Sequence, residues 1–202
     1  MSVTATPARA QSLHVIQSEH RALSAMLSSM TLLVGQWRRK GTPPDFDLLR
    51  SMVFYLDEFP ERLHHTHETR YLFPALRGRE PDLDQVLDRL DHEHAEGERA
   101  VRGLEHALLA WEVMGDVRRD GFEHALQRFS QFYHAHMGLE EEVVLPAARR
   151  LLADVDWSEI DAAFVAHHDP LAGGRVPDAV YEALFSRILN VTPAPLGLGP
   201  AD

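Results

Sequence analysis

One segment of this chain occurs twice, and it limits the possible folds more than any other feature of the sequence. Each copy contains a His, a Glu four residues later and a Pro six residues after the Glu: His64, Glu68 and Pro74, then His136, Glu140 and Pro146. Residues four apart lie on one face of a helix, so each His and Glu can present a nitrogen and an oxygen to the same point. Two such helices facing each other would supply four metal ligands.

Two further His residues interrupt helical patterns that are otherwise apolar. In the first predicted helix, apolar residues recur at intervals of three and four, and His20 is the only polar residue among them. His94 has the same place in the third predicted helix. Alone, either residue is more simply explained as a core His bonded to a neighbour. However, their separation is close to that of the two repeated segments, and each follows a Glu, Glu19 or Glu93, which indicates two copies of one helical hairpin.

The predicted fold is all-α, because no stretch alternates with period two for long enough to form a strand. Asp45 is a good N-cap for the second helix, and Pro60 should kink that helix. The predicted helices span about residues 12–39, 45–76, 82–114, 122–152, 157–168 and 178–189. Four long helices with short loops are typical of an up-down-up-down four-helix bundle, here followed by two additional C-terminal helices.

The predicted organisation has four parts, which are a flexible N-terminus (1–11), the bundle (12–152), a C-terminal helical extension (153–192) and a flexible tail (193–202). His167 and His168 fall at the predicted end of the fifth helix, where a cationic side chain complements the helix dipole. This local explanation is sufficient, so neither is assigned to a metal.

The two hairpins together predict one metal centre with four imidazoles and two carboxylates: His20, His64, Glu68, His94, His136 and Glu140. Nitrogen and oxygen ligands without sulfur suit iron, manganese or zinc. Six protein ligands are too many for one tetrahedral zinc, but they suit two octahedral ions that share the carboxylates. The remaining positions would hold a bridging oxo or hydroxo group and an exchangeable small molecule.

Several nearby residues have an open role. Glu98, four residues after His94, is either an optional further ligand or a hydrogen-bond partner of a ligand. Tyr133 either fills the core, which is the simpler interpretation, or bonds a bridging or bound oxygen species. Gly97 indicates either close helix packing or room for a small ligand beside the metal. Six other His residues are expected at the surface: His65, His67, His92, His106, His124 and His134.

The composition excludes several functional classes. A formal net charge of −11 with no basic stripe makes nucleic acid an unsuitable partner. The absence of Cys excludes disulfides, thiolate zinc sites and thiol catalysis, and agrees with a reducing cytoplasm. No apolar run approaches the roughly 20 residues of a membrane span, and residues 1–11 lack the apolar segment of a signal peptide. We therefore expect a soluble, cytoplasmic protein.

The duplicated His-x-x-x-Glu…Pro segments and the lone His on the first and third helices resemble the hemerythrin-like, or HHE cation-binding, family over roughly residues 12–152. The segments include Leu72-Phe73-Pro74 and Leu145-Pro146. The resemblance implies a four-helix bundle around a non-haem di-iron centre with the same six ligands. Oxygen-carrying hemerythrins have a second His one turn after the His of the third helix, where this chain has Glu98. This difference argues against simple reversible oxygen carriage.

The predicted function is that of a di-iron protein that binds or senses O2, NO or a related small oxidant, and this role is favoured over an enzymatic one. The sequence does not identify a protein partner. One alternative is a di-iron enzyme acting on peroxide or another reactive species, and another is an iron-handling or signalling module. A ferritin-like centre is a weaker fit. It needs Glu-x-x-His twice, and only Glu61 to His64 matches, because the equivalent of Glu61 in the second half is Tyr133.

Overall fold

The computed structural model describes residues 11–166, 169–173, 179–192 and 194, and within these ranges all regular secondary structure is helical, with no strand. The predicted all-α class is therefore confirmed. Residues 1–10, His167, His168 and all of the predicted tail except Ala194 lie outside the described residues.

The first half consists of helix α1 (Gln11–Lys40) and a helical stretch, α2, over residues 46–76. Helix α1 ends at Lys40 and is followed by Gly41, whose φ of 65° is in the left-handed region that glycine adopts without strain. Asp45 caps α2 as predicted, because its side chain accepts a hydrogen bond of 2.8 Å from the Leu48 amide.

Stretch α2 alternates between α- and π-helical hydrogen bonding, in the order Phe46–Leu56 (α), Asp57–His64 (π), His65–His67 (α), Glu68–Leu72 (π) and Phe73–Leu76 (α). Pro60, where the sequence predicts a kink, lies in the first π segment. Proline has no N–H to donate, and the His65 amide donates to the Pro60 carbonyl, five residues earlier.

The second half contains helix α3 (Pro81–Met114), a 3-10 turn (Asp116–Arg118) and a helical stretch, α4, over residues 119–151. Stretch α4 has α-helical parts at Arg119–Leu139 and Leu145–Leu151, with a π segment at Glu140–Val144 between them. It begins three residues before the predicted start at 122. Arg119 is the first residue of this stretch, and its side chain is buried, with the guanidinium over Trp111 and bonded to the Val34 carbonyl.

Two shorter helices follow, α5 (Asp154–Ala166) and α6 (Ala179–Val191). Helix α5 lies on α1, and its Asp161 carboxylate accepts hydrogen bonds of 2.9 and 2.6 Å from the amide and hydroxyl of Ser12. Helix α6 lies on α2, where the Phe185 ring packs 5.3 Å from that of Phe59.

The buried apolar side chains form two clusters, one around Leu87 and one around Leu104. Helix α1 and helix α3 begin in the Leu87 cluster and continue into the Leu104 cluster, whereas α2 and α4 pass from the Leu104 cluster to the Leu87 cluster. Between the clusters lies a layer of buried polar side chains. None of the helices in the described part of the chain is long and apolar enough to cross a membrane.

The Leu104 cluster should contribute strongly to stability. Leu104 is 1% exposed, so Leu104→Ala removes buried apolar surface and leaves a cavity. We expect the free energy of unfolding, measured by chemical denaturation, to fall by about 2–5 kcal/mol. Leu109→Ala is the control on the same helix, because Leu109 is 56% exposed, and it should change stability by less than about 0.5 kcal/mol. Equal losses in the two variants would contradict this account of the core.

Candidate metal centre

The polar layer between the two clusters contains all six predicted ligand residues: His20, His64, Glu68, His94, His136 and Glu140. Each is less than a tenth exposed, and the two carboxylates are fully buried. They come from α1, both π-containing stretches and α3. The structure therefore brings together side chains that are far apart in the sequence.

On one side of the layer, the imidazoles of His20 and His64 face each other, with 3.2 Å between their Nε2 atoms. Two nitrogens bound at right angles to one ion, each at about 2.1 Å, would be about 3 Å apart. Glu140 Oε2 lies 3.3 Å from His20 Nε2, and Glu68 Oε1 lies 3.4 Å from His64 Nε2. Four ligand atoms thus surround one position.

On the other side, His94 and His136 face the remaining oxygens of the same two carboxylates. Glu68 Oε2 lies 3.5 Å from His94 Nε2, and Glu140 Oε1 lies 3.2 Å from His136 Nε2 and 3.9 Å from His94 Nε2. Each carboxylate thus divides its two oxygens between two imidazole pairs. Two sets of four residues can therefore each surround one ion, and in each set the four ligand atoms lie within 4.8 Å of one another. Both sets contain Glu68 and Glu140; one adds His20 and His64, and the other adds His94 and His136.

Six of the inward-facing atoms have no hydrogen-bond partner among the described residues, although they lie near one another. These atoms are both oxygens of Glu68, both oxygens of Glu140 and Nε2 of His94 and His136. Leaving buried polar atoms unbonded is costly, and buried carboxylates are normally paired with cations. A set of nitrogen and oxygen atoms that converge without bonding one another therefore fits a pair of metal ions.

The outward Nδ1 atoms of the four imidazoles are all held by hydrogen bonds. Glu19 precedes His20 but binds His64, with 2.7 Å between Oε2 and Nδ1, and Glu93 precedes His94 but binds His136 at 2.9 Å. A carboxylate that accepts Nδ1–H keeps the Nε2 lone pair directed toward the centre. The duplicated Glu before each lone His was visible in the sequence, but its role as a partner of the opposite His was not inferred.

The other two imidazoles are held by residues that also correspond between the halves. Glu141 Oε1 lies 2.9 Å from His20 Nδ1, and the Thr69 hydroxyl lies 2.9 Å from His94 Nδ1. Thr69 and Glu141 occupy the same place in the repeat, because each directly follows its buried Glu. The hydrogen bonds around the centre are therefore duplicated along with the residues that they orient.

Burial and mutual attraction strongly shift the pKa values of the metal-free cluster. Burial opposes charging of the imidazoles, but the carboxylates outweigh it and raise the pKa of His20 to about 9, of His94 to about 8 and of His136 to about 10. Burial alone would raise the pKa of Glu140, yet the imidazoles hold it well below its usual range. Positive charge is therefore favoured at this position even without a metal.

Glu68 and Glu140 each begin a π segment, and each accepts a backbone hydrogen bond from the residue five positions later, Phe73 or Leu145. A proline follows that residue in both stretches. Single π turns inside α-helices are frequent at functional sites. The repeat thus specifies a backbone distortion beside each buried carboxylate as well as the side chains.

The structure answers the question left open for Glu98 and corrects the expectation for His65. Glu98 is exposed and lies 3.6 Å from Arg102, outside the cluster, because α3 turns position 98 toward solvent. His65 was expected at the surface, but it is buried, and its ring stacks 4.1 Å from that of His94. His67 is half-buried beside Phe164, while the other four predicted surface His residues, at 92, 106, 124 and 134, are exposed.

A segment outside the bundle also reaches the centre. The Asp169 amide donates a hydrogen bond of 2.8 Å to Glu19 Oε1, whose other oxygen holds His64. The Asp169 carboxylate accepts hydrogen bonds from the Tyr55 hydroxyl and from the Leu171 amide. Burial raises the Asp169 pKa to about 6, although both hydrogen bonds lower it. Sequence patterns could not place this segment, because 150 residues separate Asp169 from Glu19.

Comparison with known proteins gave a match to a family model, the hemerythrin HHE cation binding domain, over residues 10–148. The match includes all six residues of the cluster and ends within α4, so that α5 and α6 lie beyond it. No curated protein and no solved structure matched the chain.

Metal binding should release protons. At pH 7 the imidazoles of His20, His94 and His136 are charged in the metal-free protein, whereas a metal ligand must be neutral. We expect titration with a divalent cation to release more than one proton per chain, measured by calorimetry in buffers of different ionisation enthalpy. The apparent affinity should rise between pH 7 and 9.

The metal-free protein should become less stable as the pH rises, whereas its apparent affinity for metal should increase. Because the folded-state pKa values are raised, the charged imidazoles stabilise the fold at low pH, and this contribution is lost as the pH rises through about 8 to 10.

The proton-release measurement has a control at an exposed position. On metal binding, His124→Ala should release the same number of protons as the unmodified chain. Metal binding without proton release would contradict these assignments.

The contact of Asp169 with Tyr55 should also be measurable. Tyr55→Phe leaves a buried carboxylate with one partner fewer, so we expect unfolding to become easier by about 1–3 kcal/mol. Tyr71→Phe is the control at a half-buried position in the same helical stretch. Chemical denaturation of both variants gives the comparison, and a Tyr55→Phe variant as stable as the control would show that this contact is weak.

Proposed function

The chain belongs to the hemerythrin HHE cation-binding family, and from this premise we propose that it binds a pair of iron ions and uses them to bind or sense O2, NO or a related small oxidant. His20 and His64 would hold one ion, and His94 and His136 the other. Glu68 and Glu140 would bridge the two. Manganese and zinc are the alternative metals for this ligand set.

The observation that carries the proposal is the division of each buried carboxylate between two imidazole pairs. A buried carboxylate that only neutralised one cationic side chain would need a single partner. Glu68 and Glu140 instead each direct one oxygen to an imidazole on either side of the layer. Two octahedral ions would accept eight bonds from these six residues. The remaining positions would be open to a bridging oxo or hydroxo group and to one small molecule.

We also propose that the four long stretches form an up-down-up-down four-helix bundle, to which α5 and α6 are added. The support is the alternating order in which the stretches pass through the two apolar clusters. In such bundles, metal sites are built from inward side chains of facing helices. The polar layer occupies that position here.

Within this proposal, the residues of the chain orient the ligands and exclude water. The bound iron pair would supply open coordination positions and a change of oxidation state. Glu19, Glu93, Glu141 and Thr69 fix the four imidazole rings, and the apolar clusters above and below keep bulk water out. With most positions taken by protein ligands, binding of a small molecule is favoured over demanding catalysis.

A second candidate function is an enzyme that acts on peroxide. Its support is a group of buried polar side chains without partners beside His94, which includes Glu61 and Tyr133. Anaerobic reduction of the iron-loaded protein followed by O2 separates the two functions. A persistent absorption spectrum of a bound species supports binding or sensing, whereas steady consumption of added peroxide supports the enzyme.

The metal assignment is tested by removing ligands. His136→Ala or Glu140→Ala should reduce bound iron to about half or less and lower the melting temperature, because metal binding stabilises the folded state. Elemental analysis and thermal unfolding of the iron-loaded proteins give both values. His134→Ala, an exposed His two residues from His136, is the matched control. Iron content equal to that of the control in both variants would overturn the ligand set.

A further inference from the structure

A second set of buried polar side chains lies beside the metal centre and belongs to none of its proposed ligands. This set, which we call the Glu61 group, consists of Glu61, His65 and Tyr133, each at most 5% exposed. Four of their atoms have no hydrogen-bond partner among the described residues: both oxygens of Glu61, Nδ1 of His65 and the Tyr133 hydroxyl. So many unbonded polar atoms at one place require an explanation.

The Glu61 group flanks the His94 side of the centre. The His65 ring lies parallel to that of His94, with centroids 4.1 Å apart and an angle of 11° between the planes. The Tyr133 ring also lies parallel to that of His65, with centroids 5.7 Å apart and an angle of 4° between the planes. One ring nitrogen of His65 lies within 4.8 Å of ring nitrogens of His94 and His136. However, a metal ion lies near the plane of the imidazole that binds it, so a His65 ring stacked face to face on His94 is not oriented to share the ion of His94.

Gly97 makes room for this group. A Cβ atom at position 97 would lie 2.7 Å from the Tyr133 hydroxyl and 2.8 Å from both Glu61 oxygens, which is closer than real contacts allow. Three oxygen atoms therefore converge on the bare backbone of α3. Gly97 is the third residue after His94, and the third residue after His20 in the first half is the buried Leu23. This close approach of polar side chains to the helix backbone is thus possible in one half only.

The same asymmetry holds for the other members of the group. When His64 is aligned with His136, Glu61 corresponds to Tyr133 and His65 corresponds to Met137. The four imidazoles, the two bridging carboxylates and the residues that bind Nδ1 are duplicated or nearly so, whereas these positions are not. A feature that departs from the repeat beside one half of a symmetric centre indicates a task that this half alone performs.

The chemistry of the group defines what it can hold. The phenol of Tyr133 donates or accepts a hydrogen bond, the carboxyl group of Glu61 offers two oxygens, and His65 Nδ1 lies 3.3 Å from Glu61 Oε2 without bonding it well. A diatomic molecule without O–H bonds would satisfy few of these atoms. A small molecule with O–H groups both donates and accepts, and it could bond several of them at once.

We propose that the Glu61 group, with Gly97, is a binding pocket for hydrogen peroxide on the His94 side of the metal centre, and that water occupies it at rest. This inference rests on the proposed iron pair and names the class of small molecule that the centre takes. The pocket would hold the O–H groups of the ligand while the centre binds its oxygen. Glu61 and Tyr133 are thus placed as binding residues and His65 as a positioning residue.

The test compares two ligands in iron-loaded protein. Hydrogen peroxide is titrated into the oxidised protein and nitric oxide, which has no O–H group, into the reduced protein, both followed by visible absorption. Loss of a hydrogen bond worth about 1.4 kcal/mol weakens binding about tenfold. Tyr133→Phe should therefore weaken peroxide binding about tenfold and change nitric oxide binding by less than about twofold.

The glycine provides a steric control. Gly97→Ala should also weaken peroxide binding at least tenfold, whereas Gly103→Ala, on the same helix with open space around its Cβ, should bind peroxide as the unmodified protein does. Should Gly97→Ala fail to fold, Tyr133→Phe removes a single oxygen and keeps the test decisive.

Three results would overturn the inference: no peroxide binding by the unmodified iron-loaded protein, peroxide affinity unchanged in Tyr133→Phe, or equal losses for peroxide and nitric oxide. The second would mean that the pocket holds water only. Iron content, measured in each sample, separates this failure from that of the proposed function. An unmodified chain without iron contradicts the metal centre, whereas an iron-loaded chain with indifferent variants contradicts the pocket alone.

Discussion

The structure depends on the burial of two carboxylates in one layer. Glu68 and Glu140 are fully enclosed, and four imidazoles face them. Isolated in an apolar interior, each would carry a large desolvation cost, so the layer is stable only when positive charge is present. Protons on the imidazoles supply that charge in the metal-free protein, and the family match is to a domain that binds cations. The same charge requirement thus governs both folding and metal binding.

The rest of the architecture supports this layer. The apolar clusters above and below it fix the spacing of the helices, while the π segments that begin at Glu68 and Glu140 interrupt regular helix where the carboxylates enter. Around the imidazoles, a ring of acceptors sets the direction of each Nε2 lone pair. Because the residues that accept from Nδ1 lie on neighbouring helices, a shift of one helix would misalign the imidazole of another.

Most residues of the polar layer could be predicted from the sequence, because the spacing within the repeat shows which residues share one face of a helix. The constant interval between the two copies was enough to find His64, Glu68, His136 and Glu140, and apolar periodicity was enough for His20 and His94. His65 was missed because a regular helix turns adjacent residues to different faces, whereas the π segment that ends at His64 widens the turn and lets both face inward. Asp169 was missed because tertiary contacts over 150 residues leave no local pattern.

The hydrogen bond from the Asp169 amide to Glu19 connects the C-terminal extension to the proposed metal centre. The family match ends at residue 148, yet the carboxylate that orients His64 is itself held by the backbone of residue 169. A fragment trimmed to the matched boundaries would retain every proposed ligand but lose the amide that immobilises this carboxylate. The part of the chain that holds the ligand residues in place is therefore longer than the part that the family match covers.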